Sequence, residues 1–416
     1  PQVTFQLLIR GAGGYFDPAD LPGLASTTAA LMREGTATRT TSQIAEALET
    51  MAASVNVGTG MAMPVATVSG SSLTENFKDT LALAADILLR PSFPMEEIER
   101  YRTRTRAGLV QQRANPGFLA NERFSRAAFG DHPAGRVSIT AAALDAMTRD
   151  RLVAFHRDRY IPDHAVLAIA GDVSMGDART LAESLFGAWP KQGGAKPAVG
   201  QPAAIGPGAV SLIARPNSVQ TSLWVGTQAI ARTAPDYDVV SVMNAVIGGG
   251  PTGRLFTNLR EAKGYTYGAY SNVQALEHVG TWLATTDVRT DVTEPALRDL
   301  MAEIARMRDE LVPEKEFEDR KRGMVATFAL SLESPAAVLN SHVTRWLFGL
   351  PMDYWDTLPA RTMAVTRAQV QAAAKKYLDP ARLQIVAVGD GAKIMGALSP
   401  FGAVQQYDSN GNRIGG

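Results

Sequence analysis

The chain contains no cysteine, which excludes disulfides and any thiolate metal site. Histidine is scarce: the only five are His132, His156, His164, His278 and His342, and no two lie three or four residues apart. Two imidazoles on one helix face would need that spacing. His156 and His164 are separated by Ile161-Pro162, and His132 sits in the loop sequence FGDHPAG, so each reads as a structural or surface residue. No Gly-x-Ser-x-Gly elbow or other nucleophile–base–acid cluster is present. Excess charge is also missing, since 41 basic residues balance 41 acidic ones; nothing in that balance calls for nucleic acid or an anionic membrane surface. No apolar run reaches the ~18 residues of a membrane-crossing helix.

What is present is the composition of a globular protein, 45% hydrophobic and 20% charged. At 416 residues the chain is too long for one ordinary core, and two domains of about 200 residues are expected. The most informative stretch is Gly248–Ser271, GGGPTGRLFTNLREAKGYTYGAYS. Gly248, Gly249 and Gly250 permit a tight turn or a close backbone approach. Leu255, Phe256 and Leu259 then mark a short helix that ends near Arg260, with Lys263-Gly264 as its stop. Tyr265, Tyr267 and Tyr270 follow in a β-type run. This order can bring a guanidinium and a phenol together at one sheet edge, although a plain helix–turn–strand connection would read the same.

From the start of the chain, Val3, Phe5, Leu7 and Ile9 alternate as in a strand with one apolar face. Helices are expected over Gly23–Thr36, over Ser42–Ser54, and over Glu75–Leu89, where Phe77, Leu81, Ala84 and Leu88 form a stripe. Pro94 opens another helix, with Glu96 and Glu97 complementing its dipole and its many arginines forming a solvated face. Strands are expected over Pro64–Ser69 and Ala165–Ala170, with a helix near Arg149–Arg159. AKPAVGQPAAIGPG, residues 195–208, is a Pro/Gly/Ala linker without periodicity. It divides an N-terminal domain, 1–194, from a C-terminal domain, 209–416.

The second half repeats the first. MTRDRLVAFHRDRYIPDHAVLAIAGD (147–172) has a counterpart in AVTRAQVQAAAKKYLDPARLQIVAVGD (364–390), and FPMEEIERYR (93–102) answers VPEKEFEDRKR (312–322), at an offset of about 219 residues. Thr74–Leu89 and Thr293–Leu311 are matching amphipathic helices. A period this long means two tandem copies of one domain rather than a solenoid. Each copy is expected to be α+β, a sheet with helices mainly on one face, and ligands often bind between such copies.

The duplication, the linker and LFTNLREAKGYTYG together resemble the pitrilysin family of zinc metallopeptidases, and its branch related to the mitochondrial processing peptidase in particular. The resemblance covers nearly the whole chain. It implies double-domain units that close around a peptide chamber like a clamshell, one unit holding zinc through His-x-x-Glu-His and a later glutamate. At the matching positions this sequence reads GLASTTAALMREGT. Ser26 and Ala30 stand where the family has its histidines, and Ala29 stands where it has the general base. The later glutamate falls near Ala107-Gly108, where there is no carboxylate. None of these side chains is a zinc donor, so no metal is expected in this chain.

A second family feature is kept. Arg260 and Tyr267 match an arginine–tyrosine pair, seven residues apart, that reaches from a non-catalytic subunit toward the partner's zinc. Gly248–Gly250 likewise resemble the glycine-rich substrate loop of that subunit. The resemblance therefore implies a substrate-binding subunit inactive by itself, with zinc and His-x-x-Glu-His in a homologous partner and a peptide as substrate. The alternative is a catalytically dead scaffold like the core subunits of the respiratory cytochrome complex. The chain opens abruptly inside a strand pattern, so a leading segment is expected to precede it. That start and the resemblance point to the periplasm, with the cytoplasm as the other possibility.

Overall fold

The computed structural model describes residues 1–414. The first half runs β1 (Gln2–Arg10), α1 (Leu24–Met32), α2 (Thr41–Thr50), β2 (Ser54–Gly58), β3 (Val65–Leu73), α3 (Phe77–Leu89) and α4 (Met95–Arg113). It continues through α5 (Pro116–Phe129), α6 (Ala141–Ala146), α7 (Arg149–Arg159), β4 (Ala165–Gly171) and α8 (Met175–Phe186). The second half opens with β5 (Ala209–Ala214), β6 (Gln220–Gln228), α9 (Tyr237–Ile247), α10 (Arg254–Phe256), β7 (Thr266–Gln274) and β8 (Thr281–Arg289). Then come α11 (Thr293–Asp309), α12 (Glu314–Ser331), α13 (Pro335–Phe348), α14 (Leu358–Ala364) and α15 (Arg367–Tyr377). The last elements are β9 (Gln384–Gly389), α16 (Gly391–Leu398), β10 (Val404–Tyr407) and β11 (Arg413–Ile414).

The duplication is visible in the sheets. One has four strands in the order β2-β3-β1-β4, all antiparallel. The other has seven, β11-β10-β5-β9-β6-β8-β7, and its β7-β8-β6-β9 portion repeats the order and antiparallel sense of the first. β5 and β10 add parallel strands beyond β9. Local signals repeat as well: the Thr148 side chain caps α7 and Thr366 caps α15, each accepting the N–H three residues on. The fold is α+β.

In the first sheet, Val3, Phe5, Leu7 and Ile9 of β1 join the helix-covered core with Val68, Phe77, Leu81 and Leu88. In the second, Leu223 and Val225 of β6 and Ile385 and Ala387 of β9 do the same with Val240, Met243, Leu297 and Leu300. The opposite faces are covered too, each by one helix from the other repeat. Leu119, Phe124 and Phe129 of α5 pack with Val386, Val388 and Trp224 of the second sheet, and Gly226 makes room for Phe124, whose ring is 2.8 Å from where a Cβ would stand. Val343, Trp346 and Leu347 of α13 pack with Leu8, Val65, Val166 and Ala168 of the first sheet, and Gln6 Nε2 donates to Asn340 Oδ1 at 2.7 Å.

One compact unit therefore comprises Pro1–Val110, Arg136–Val199 and Ser331–Leu347, and the other Gln111–Gly135, Gly200–Leu330 and the chain from Phe348 onward. They differ from the contiguous halves 1–194 and 209–416 by two exchanged segments, because each sheet has a second apolar face that only the other repeat's helix covers.

Two local expectations can be compared directly. The helix expected over Ser42–Ser54 stops at Thr50, because Ala52 takes a left-handed conformation (φ 46°) and β2 begins at Ser54. The arginines of α4 do form a solvated face: Arg100 pairs with Glu96 and Glu97, Arg102 with Glu99, and Arg106 with Asp145.

Candidate functional site

The glycine stretch begins where α9 ends. Gly248 lies so close to β7 that a Cβ would stand 2.6 Å from both the backbone N and the Oγ of Ser271. Ser271 N–H donates to Gly248 O at 2.8 Å. Asn244, in the last turn of α9, fastens the same place, since its Nδ2 donates to Ser271 O and its Oδ1 accepts from Ser271 Oγ and from Trp282 Nε1. Gly249 packs on Ala245, with 2.9 Å from a Cβ position to its Cα, whereas nothing lies within 4 Å of one at Gly250. Close backbone approach explains the first two glycines but not Gly250.

α10 then widens into a π-helical turn over Thr257–Ala262. Such turns insert one extra residue and often mark functional positions. Lys263 N–H donates to Asn258 O at 3.0 Å, and Tyr265 N–H reaches back to Leu259 O at 2.9 Å. Leu259 is buried in the core while Arg260 is exposed. Gly264, at φ 61°, reverses the chain into β7.

β7 is an edge strand, and its pairing with β8 slips at once. Thr266 faces Val288 and the next pair is Ala269 with Thr286, so β7 carries one extra residue. Gly268 N–H donates to Thr266 Oγ1 at 3.0 Å across this bulge. Bulges re-aim side chains, and Tyr267, inside this one, is 88% exposed. Tyr270 leans on Phe256, with ring centroids 5.6 Å apart.

The Leu259–Tyr265 hydrogen bond places Arg260 and Tyr267 at the same end of β7. Among the described residues neither side chain makes a hydrogen bond or ion pair. A guanidinium fork and a phenol are thus both free to donate to an outside acceptor.

The positions of the zinc motif lie on α1. Ser26 Oγ donates to Gly23 O at 3.0 Å and touches Met61 Sδ at 3.8 Å. Ala29 is in the core and Ala30 is half-buried. On α4, Ala107 is exposed, and nothing lies within 4 Å of a Cβ position at Gly108. A hydroxyl already bonded to backbone, three methyl groups and an absent side chain do not fit a zinc ion. Among the described residues no three His, Asp or Glu side chains converge as a metal would require. His156 is held instead by Leu88 O at 2.7 Å and stacks on Tyr160, and burial lowers its pKa.

Asp17, just before α1, anchors that helix. Gly23 N–H and Ala25 N–H donate to its carboxylate at 2.6 and 2.7 Å. Burial pushes this carboxyl up to about 6, against those two donors and the nearby Arg136. Asn244 carries no sequence signal of its own, one polar residue among several in α9.

Comparison with known proteins bears on this geometry. The family model described as Insulinase (Peptidase family M16) matches residues 1–141, and that of the Peptidase M16 inactive domain matches residues 146–324. The chain belongs to the peptidase M16 family. An M16 inactive domain from Pseudomonas fluorescens, known from its crystal structure, superposes with a TM-score of 0.85 at 29% identity, over 94% of this chain and 93% of that one. A protease from Helicobacter pylori shares the fold, with a TM-score of 0.83 at 15% identity over 93% of this chain and 94% of that one. An uncharacterized zinc protease of Mycobacterium leprae (strain TN) is 28% identical over 63% of this chain, a match that spans 59% of that protein. One from Streptomyces coelicolor is 25% identical over 84% of this chain and 76% of its own length. Relatives carry the words zinc protease, while α1 of this M16 chain carries no zinc donor at the motif positions.

Proposed function

We propose that this chain is the non-catalytic, substrate-binding subunit of a heterodimeric zinc metalloendopeptidase, contributing Arg260 and Tyr267 to the active site of a zinc-bearing partner. The observation that carries the reading is the presentation of these two residues. A π turn and a β-bulge, both departures from regular structure, expose the two donors at one end of an edge strand, and neither donor has a partner within the described residues.

In this reading the two groups donate to the scissile carbonyl oxygen as it gains charge. Preformed donors contribute most at that point, because their orientation is set before the reaction begins. The Arg260 guanidinium is a fixed fork of N–H donors, so its contribution is to donate hydrogen bonds and not to transfer a proton. Zinc held by the partner would supply the activated water. Gly250, open to its surroundings, leaves space for a peptide backbone beside the turn.

Affinity purification from the native cell, with mass spectrometry of co-purifying chains, tests the proposal. The expected result is a homologous chain containing His-x-x-Glu-His, whose peptidase activity requires both proteins. Stoichiometric recovery with respiratory-complex or chaperone components, and no such chain, would favour a scaffold of the same fold.

A further inference from the structure

Arg260 leaves the π turn on one face, and the opposite face is held by polar contacts. Asn258, two residues earlier, donates from Nδ2 to Glu303 Oε1 at 2.8 Å. Glu303 lies on α11, is 4% exposed, and also accepts from Arg306 at 3.0 and 3.1 Å. One step back, Arg254 grips Glu316 of α12 with two hydrogen bonds, at 2.8 and 2.9 Å. A cavity of about 480 Å³ opens behind the turn, lined by Thr257, Asn258, Ala262, Glu303 and Arg306 among others. On this side the turn therefore rests on ionic and amide contacts across open space instead of on packed apolar side chains.

We propose that Asn258 and Glu303 are positioning residues that hold the π turn open and so fix Arg260 relative to Tyr267; the inference rests on the functional reading of Arg260 given above. Asn258 has two roles in the turn. Its carbonyl accepts the wide hydrogen bond from Lys263 N–H, and its side chain ties the turn to a buried carboxylate. A buried charge keeps its place only while its partners remain, so Glu303 is a fixed point against which the turn is set. Without the tether the extra residue can be absorbed at Gly264, where nothing lies within 4 Å of a Cβ position. The turn then relaxes to α geometry, in which one residue is about 100° of rotation, and Arg260 swings away from the end of β7.

The test compares Asn258→Ala, Glu303→Ala and Glu303→Gln, each alone and combined with Arg260→Ala. In the isolated chain, the Lys263 and Gly264 amides of Asn258→Ala and Glu303→Ala should exchange with solvent about fivefold faster or more, as loss of one hydrogen bond implies. Glu303→Gln keeps an acceptor for Asn258 and should exchange near the wild-type rate. With the zinc-bearing partner, the two alanine variants should lower kcat about 10- to 100-fold with little change in KM, the scale set by small misplacements. They should cost nothing further once Arg260 is already alanine. Unchanged amide exchange overturns the tether whatever the kinetics. Equal losses with and without Arg260, or faster exchange with kcat unchanged, overturn the positioning role. If Arg260→Ala alone leaves kcat intact, the functional reading fails instead, and the exchange rates still decide whether the tether exists.

Discussion

Ser271 Oγ donates to Asn244 Oδ1 at 2.8 Å while Asn244 Nδ2 donates to Ser271 O at 3.2 Å, so one residue pair clasps the end of α9 to the edge strand. The Gly248 turn is enclosed by that clasp. Gly248→Ala places a methyl group 2.6 Å from Ser271 N and Oγ and should destabilise the fold by about 1–3 kcal/mol. Gly250→Ala meets nothing within 4 Å and should leave the denaturation midpoint unchanged. Equal midpoints for the two variants would contradict the clasp.

Arg260→Ala and Tyr267→Phe are expected to lower kcat of the complex with the zinc-bearing partner, each by ~10²–10³ if both donate to one oxyanion. KM should change little, since ground-state binding is not what they supply. The double variant should lose less than the product of the two, because the groups act on one atom. Both residues are exposed, so thermal midpoints should not move. Wild-type kinetics for both variants would leave the pair without a catalytic role.

Asp17 makes stability depend on pH in an identifiable window. Its folded pKa is raised from 3.8 to about 6, so between those values the folded chain holds a proton that the unfolded chain has released. Its contribution therefore falls as pH rises from about 4 to 6 and is constant above, by up to ~3 kcal/mol for a shift of this size. Asp17→Asn should remove that slope. Denaturant titrations at pH 4 and pH 7 on both proteins measure it, and the difference between them isolates this carboxyl from the others. A wild-type slope in Asp17→Asn would rule out Asp17 as its source.

Trypsin offers a view of the exchanged helices. Lys191 lies exposed in the loop after α8, outside regular structure, and such segments are cut first. Cleavage there should give two fragments on a denaturing gel. Under native conditions they should elute together, because each compact unit contains segments from both sides of the cut. Separation into two folded halves would contradict the exchange.

Much of each repeat is legible because its signals are local. β1 announces itself by its alternation and α3 by its apolar stripe, and the sequence around α7 recurs around α15. Ala52 shows where local reading fails: it takes the left-handed conformation that glycine usually marks, so the sequence pattern runs past the end of α2. The site is half legible. Arg260 and Tyr267 stand out by residue type and spacing, but the π turn and the bulge that expose them depend on contacts from far along the chain. Asn258 finds Glu303 45 residues away, and Thr286 donates to Gly268 O from 18 residues away. The destinations of α5 and α13 are equally hidden, since an amphipathic helix does not state which sheet its apolar stripe will cover.

That exchange also sets the order in which the protein can be completed on the ribosome. A domain ordinarily folds once its own residues have emerged, but the face of the first sheet formed by Leu8, Val65, Val166 and Ala168 waits for Val343, Trp346 and Leu347. Until that late helix has been translated, the N-terminal sheet is left with an apolar surface uncovered, open to chaperones or to a neighbouring nascent chain. The first repeat reaches its final form only after much of the second has been made, and a message truncated after the first repeat encodes a sheet with one apolar face uncovered.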